Sequence, residues 1–319
     1  MKRIMYSLIA VMLVATGLAW AEPWTEVAPL NVARYKHRAV VLDGKIYVIG
    51  GQAPDKMCAP VEVYDPDTNT WTVVGPGPVN CEGPHLAAMG GTLFVLAGRD
   101  LAAKARTLDG YMGTPTSEGI IWEKVPGQPT MAHGDAASGV IGTKIYLISG
   151  EDDTLTNLGD DYVQAVDVFD MATLTWSTAA SIAPYGREDF DAAVVGTKII
   201  TIAGQGGPEN TSLRWLNVYD AETDTWEHWE EGVPFGWEHP RAVGIGPYVY
   251  VMSGKDEGGF FNFRFDPATM TWTELTPPPE PVQQCALVAL DGRIYMIGGV
   301  HFDGTILTRV FVYDPQKED

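Results

Sequence analysis

Short apolar runs along this chain alternate with clusters of Gly, Asp and Thr on a regular beat. A β-rich apolar run closing in a small residue and a glycine occurs six times: Ile46-Tyr47-Val48-Ile49-Gly50-Gly51, then 93–98, 145–150, 199–204, 249–254 and 294–299. The closing glycines stand 47, 52, 54, 50 and 45 residues apart. A fixed period of that size means stacked supersecondary units. The runs are apolar at successive positions rather than alternating, as for an inner strand covered on both faces.

Each run is followed by an aromatic-Asp pair, a turn and a Trp. The clearest copy is Tyr64-Asp65-Pro66-Asp67-Thr68-Asn69-Thr70-Trp71, and Phe169-Asp170 with Trp176, Tyr219-Asp220 with Trp226 and Phe265-Asp266 with Trp272 repeat it. Asp caps such a turn, Pro fixes φ, and Thr favours the strand that follows. The Trp supplies a large apolar body for packing sheet on sheet. A further short strand precedes each run, as in Arg38-Ala39-Val40-Val41-Leu42, joined to it by Asp43-Gly44. Four strands per repeat result, and a four-stranded sheet with two apolar faces has to stack between neighbours.

The sixth copy runs through Val310-Phe311-Val312-Tyr313-Asp314-Pro315 without reaching a Trp, whereas Pro23-Trp24-Thr25-Glu26-Val27 supplies one at the other end. The expected fold is therefore all-β, a six-bladed β-propeller closed by its N-terminal strand as the outer strand of blade six. The blades are expected at about 29–76, 77–127, 128–180, 181–231, 232–276, and 277–319 together with 22–28. The Gly-Gly doublet with spaced Tyr and Trp resembles the Kelch repeat family, and the resemblance covers residues 22–319. It departs in the second repeat, where Thr107-Leu108-Asp109-Gly110 replaces aromatic-Asp-Pro, and where Ala97, Ser149, Ala203 and Ser253 stand for the first glycine.

Composition changes the picture mainly by placing the chain. Lys2 and Arg3, an apolar run over residues 4–18 and Ala19-Trp20-Ala21 read as a secretory signal peptide over 1–21, cleaved after Ala21. The run is too short and too interrupted for a membrane span. A soluble, periplasmic or secreted, monomeric protein is expected, with no membrane insertion after cleavage. Losing Lys2 and Arg3 moves the formal net charge from −20 to −22. Such a surface repels phosphate backbones, so no nucleic-acid partner is expected.

On a propeller, the links between blades and the loops between second and third strands share one end with the channel mouth. Aligning the repeats puts Arg34, Cys81, His133, Arg187, Trp237 and Val282 at the channel entry, with His37, Pro84, Ala136, Phe190, Pro240 and Cys285 three places on. The expected ligand-binding residues are Arg34, His37, Arg187, Trp237, His239 and Arg241, a basic patch for an anionic or polar ligand. Glu188, Asp189, Glu238 and His133 are the candidates for proton transfer. The competing reading makes Arg34 and Arg187 repeat residues in structural ion pairs.

No closely spaced His pair or Cys-x-x-Cys marks a metal site, and no metal or cofactor is expected. Glu151-Asp152-Asp153 with Asp160-Asp161 reads as a solvated acidic loop. Of the cysteines, Cys58 and Cys81 fall at one end in adjacent segments, which favours a Cys58–Cys81 disulfide and leaves Cys285 as a buried small residue. The resemblance implies an interaction module for a protein or carbohydrate ligand at the channel mouth. Fold and compartment are also similar to those of the periplasmic N-acetylneuraminate epimerases, which implies as the alternative a mutarotase or epimerase of an acidic sugar.

Overall fold

A computed structural model describes residues 22–318 except 155–161, 208–209 and 256–260. The expected leader over 1–21, and Asp160 and Asp161 of the acidic loop, lie outside the described residues. Among the described residues six antiparallel four-stranded sheets form the body of the molecule, with two small three-stranded sheets where the links enter the second and fourth. The first is Tyr35–Leu42, Lys45–Gln52, Val61–Asp65 and Thr70–Gly75. The second to fifth repeat that order, beginning at His85–Met89, Ala137–Ile141, Asp191–Val195 and Arg241–Ile245. The sixth joins Ala286–Leu290, Arg293–Ile297 and Val310–Tyr313 to Trp24–Val27, whose register sets Trp24 opposite Tyr313 and Val27 opposite Val310.

The core is divided among the seams between sheets. Leu42, Ile49 and Val61 meet Leu93 and Val95 between sheets one and two. Equivalent clusters fill the next four seams. Ile297, Val310 and Val312 of the sixth sheet then pack on Ile46, Val48, Tyr64 and Trp71 of the first. The stacking is that of a β-propeller, with the first strand of every sheet around a central channel.

Two repeat residues hold each seam for reasons the coordinates make concrete. In four sheets the outer-strand Trp donates its indole N–H to a carbonyl at the neighbouring sheet: Trp71 to Ala28 at 2.8 Å, Trp122 to Pro76 at 3.2 Å, Trp226 to Ala180 at 2.7 Å and Trp272 to Gly232 at 2.8 Å, whereas the Trp176 indole of the third sheet makes no such bond. Trp24 makes the same contact to Thr276 at 3.0 Å, so the N-terminal segment does for sheet six what the internal Trp does elsewhere. The closing glycine of each apolar run faces a carbonyl of the link that enters its own sheet. A Cβ at Gly51 would lie 2.8 Å from Tyr35 O, and one at Gly150 would lie 2.5 Å from Gly134 O. The residue before it is left-handed too, and Ala97 and Ser149 hold it at φ 52° and 58°. In the first repeat a Cβ at that position, Gly50, would lie 2.3 Å from Cys81 O, so both glycines are required there.

Trp24 carries both a strand pairing and an inter-sheet hydrogen bond. Trp24→Ala is expected to cost about 3 kcal/mol in denaturant unfolding, and deletion of residues 22–28 more. Unfolding midpoints matching the intact chain would refute this account of the sixth sheet.

Candidate functional site

One residue in each entering link turns into the left-handed region at the channel mouth. These are Lys36, Gly83, Asp135, Asp189, His239 and Gln284, with φ between 46° and 56°. The turn aims backbone groups sideways from sheet to sheet. Lys36 N–H donates to Gln284 O at 3.0 Å, Gly83 to Lys36 O at 2.8 Å, Asp189 to Asp135 O at 2.9 Å and His239 to Asp189 O at 2.8 Å. The result is a hoop of left-handed residues around the mouth, backbone-bonded at these four of its six joins, that leaves its side chains to make other contacts.

Those side chains converge. Lys36 Nζ is 3.4 Å from Asp135, His239 Nδ1 is 2.7 Å from Asp189, and Gln284 Nε2 is 3.2 Å from His239 Nε2. Arg106, from the long loop of sheet two, reaches Asp135 at 3.7 Å and pairs with Glu151 and Asp153. Beneath the hoop lies a small cavity walled by Lys36, Arg38, Asp135, Asp189 and Arg241. Arg38 closes its floor by stretching to Asp191 of the fourth sheet, 3.7 Å away. Burial, with Arg241 nearby, pushes the Arg38 guanidinium down to about 10.

The column expected at the mouth is instead interior, which corrects most of the expected ligand set. Arg34, His133, Arg187 and Trp237 are fully buried. Arg34 Nη2 meets Glu62 at 2.6 Å and its Nη1 caps Pro60 O at 2.6 Å. His133 bridges Asp167 at 2.9 Å and Ser149 O at 2.7 Å. Arg187 has only neutral partners, Asn217 at 2.8 Å and Thr201 at 2.6 Å, and burial lowers it to about 9. Trp237 packs on Phe235, Phe261 and Phe263. His37, also fully buried, sits 3.0 Å from Ile297 O and is held neutral by burial and by Arg34. Of the six, His37 and Arg241 line the cavity beneath the mouth and His239 pairs with Asp189 above it, and Arg241 is itself engaged with Cys285 O at 2.7 Å.

Glu188, Asp189 and Glu238 do lie at the mouth, partly buried. Glu188 is the electrostatic outlier: burial and the neighbouring Asp189 push its carboxyl up to about 7, against the opposing hydrogen bond from Tyr162. Asp135, Glu188 and Asp189 bring one oxygen each within 4.8 Å of one another. Two of the three already meet Lys36, Arg106 or His239, so the set is a mixed ion network rather than an open cation cage. Asp135, with the other hoop residues Lys36 and Gln284, stands outside the expected ligand-binding and proton-transfer set. Their column is polar or glycine in all six repeats, whereas the column of Arg34 contains Cys81, Trp237 and Val282.

Asp152 of the acidic loop is buried, not solvated, and caps Ala132 N at 2.8 Å and Thr154 N at 2.8 Å. Cys58 and Cys81 are joined as a disulfide with Cα atoms 5.6 Å apart, and Cys285 is a buried free thiol.

The KLHDC2/KLHL20/DRC7 Kelch-repeats domain model matches residues 36–234 and 134–319. Among similar curated proteins, Kelch-like protein terF of Aspergillus terreus is 27% identical over 64% of this chain and 46% of its own length. Acyl-CoA-binding domain-containing protein 5 of Arabidopsis thaliana is 25% identical over 82% of this chain and 42% of its own. Kelch-like protein 36 of Bos taurus is 24% identical over 94% and 41%. The chain thus spans less than half the length of these relatives.

The buried column makes a stability claim. Glu62→Gln strips the counter-charge from Arg34 and weakens acceptors for Asn31 N at 2.7 Å and Val32 N at 3.0 Å. A loss of about 3–5 kcal/mol is expected in chemical denaturation. A loss below about 1 kcal/mol, the level of an exposed pair, would overturn the assignment.

Proposed function

The chain belongs to the Kelch-repeat domain family, and from that premise we propose that it is a monomeric binding module that captures a protein partner on the channel-mouth face. One observation carries the reading: the hoop fixes the backbone at the mouth and directs Lys36, Asp135, Asp189, His239 and Gln284 towards one space. Convergent polar groups on a rigid frame suit recognition, because loops held by a scaffold carry little ordering cost. Kelch repeats are generally protein-interaction modules, and two of the relatives above bear the Kelch-like name.

Charge suggests the partner's sign. Of the mouth cations, Lys36, Arg38 and Arg106 are tied to carboxylates and Arg241 is held by the Cys285 and Pro240 carbonyls, while no ion pair to Glu188 is found among the described residues. A chain of formal charge −20 adds a long-range negative field. We therefore infer that the partner presents a segment bearing Lys or Arg. An acidic sugar is disfavoured on the same grounds, because Arg34 and Arg187, its expected anchors, are buried and engaged. A second reading, a carbohydrate mutarotase or epimerase, draws on Glu188 as an acid beside Asp189 as a base.

We also propose export, with cleavage after Ala21. The Cys58–Cys81 disulfide supports it, since such bonds persist in oxidising compartments.

Two experiments test these readings. Fluorescence polarisation against basic, acidic and neutral peptides, with N-acetylneuraminate in a parallel thermal-shift arm, should show binding of the basic set. Asp189→Lys should weaken that binding about tenfold or more. Equal affinity across peptide charges, or a shift with the sugar alone, would sink the reading. N-terminal sequencing of protein expressed with its native leader in a secreting host should begin at Glu22, and an unprocessed Met1 start overturns export.

A further inference from the structure

Three of the six entering links carry a glutamate immediately before the hoop residue: Glu82, Glu188 and Glu238. Each stands across the strand from the residue that follows the closing glycine of its own sheet, namely Arg99, Gln205 and Lys255. In the second sheet Glu82 takes Arg99 Nη1 at 3.4 Å. In the fifth Glu238 takes Lys255 Nζ at 2.8 Å. In the fourth the cross-strand partner is Gln205, which brings no charge. The same backbone frame therefore holds two compensated glutamates and one that lacks the compensating cation.

What surrounds Glu188 deepens the difference. Asp189 follows it on its own link, and Asp135 approaches from the third sheet, each with an oxygen within 4.8 Å of a Glu188 oxygen. The nearby cations Lys36 and Arg106 are drawn to Asp135 instead, and the His239 imidazole to Asp189. From the loop of the third sheet, the Tyr162 hydroxyl lies 3.0 Å from Glu188 Oε1 and 2.7 Å from Asn210 Oδ1. A phenol has one proton for these two acceptors. Shared with the nearer Asn210 oxygen, that single proton offsets the Glu188 charge only in part.

We propose that Glu188 is a proton-binding site of the channel mouth, held as the neutral acid and releasing its proton to add one negative charge to the capture face. This rests on the reading of the mouth as that face. Burial and the Asp189 carboxylate raise the group to about 7, with Tyr162 and Arg106 pulling the other way. The sign follows: below about pH 7 the mouth carries one charge fewer, and above it a Lys- or Arg-bearing segment is held more tightly. Stability runs opposite, because the folded state binds this proton more strongly than the unfolded chain. The contribution is present in full below the ordinary glutamate range and lost as pH rises through about 7.

The decisive measurement is a carboxyl-carbon NMR titration of Glu188 in the full folded chain, which needs no partner. The expected midpoint is within about one unit of 7 in the wild type. Gln205→Lys, which copies Lys255 of the fifth sheet, should bring it down towards about 4.3. Asp189→Asn should shift it in the same direction by less, and serves if Gln205→Lys does not fold. A wild-type midpoint between about 4 and 5, or one that neither variant moves, overturns the proposal. An octalysine peptide then reads the consequence: about two- to fivefold tighter binding above pH 7 than below, flat with Glu188→Gln. If the titration holds and octalysine binds without pH dependence or not at all, the proton site stands and the capture reading fails.

Discussion

Every sheet of this molecule is apolar on both faces, and that single constraint organises the rest. Such a sheet is insoluble alone and stable only between two others, so a linear row of them always leaves two faces bare. Closing the row removes both. The physical demand falls on the seam between the sixth and first sheets, where Tyr64, Trp71, Ile297 and Val310 share one cluster. It also falls on the sixth sheet itself, which borrows Trp24–Val27 from the far end of the chain. Joining the two termini in one sheet means that no sheet can leave without opening the ring.

Within that ring, each sheet has to fill the same buried spot where the link meets the third strand, and the six do so differently. Glu62, Tyr111, Asp167, Asn217, Phe263 and Phe311 hold one register position on the third strands. The link residue meets it as Arg34 with Glu62, His133 with Asp167, Arg187 with Asn217, Trp237 with Phe263 and Val282 with Phe311, while Cys81 is the link residue of the second sheet. Polar residues accompany polar ones and apolar accompany apolar ones, apart from the intermediate Cys81 and Tyr111. A charge in a dry site is tolerable only with a hydrogen-bonding partner, so a change in one member of the pair constrains the other. The fourth sheet shows the tolerance of the rule: Asn217 satisfies Arg187 by hydrogen bonding without cancelling its charge, and the guanidinium is correspondingly easier to deprotonate.

This explains what the amino-acid sequence made legible. Period, glycines and tryptophans were readable because each is repeated for the same physical reason in every sheet, so six copies average out local accident. Arg34 and Arg187 admitted both a ligand-binding and a structural reading because a charged residue in a link looks solvent-facing when taken singly. Cys81, Trp237 and Val282 in the same column carried the opposite message, as did the matching polarity of Glu62, Asp167 and Asn217 one strand away. The true mouth column, from Lys36 to Gln284, is polar or glycine throughout and could have been found by that criterion. Nothing local announces the state of Glu188, which depends on Asp135 and Tyr162 brought in from another sheet's loops.

The separation between the two columns bears on how such a protein acquires a function. The hoop is made of backbone hydrogen bonds, so its geometry is indifferent to which side chain a left-handed residue carries. Substitution at the mouth then alters charge and shape without disturbing the seams, whereas substitution one turn inward breaks a buried pair. Glu82, Glu188 and Glu238 occupy one position on this frame and differ chiefly in what faces them. Arg99 and Lys255 fix two of them as ordinary ion pairs, and Gln205 leaves the third to settle its charge with protons. A chemical individuality confined to one of six equivalent links is what a repeat scaffold permits, and it is why the mouth rather than the core distinguishes this chain from any other ring of the same sheets.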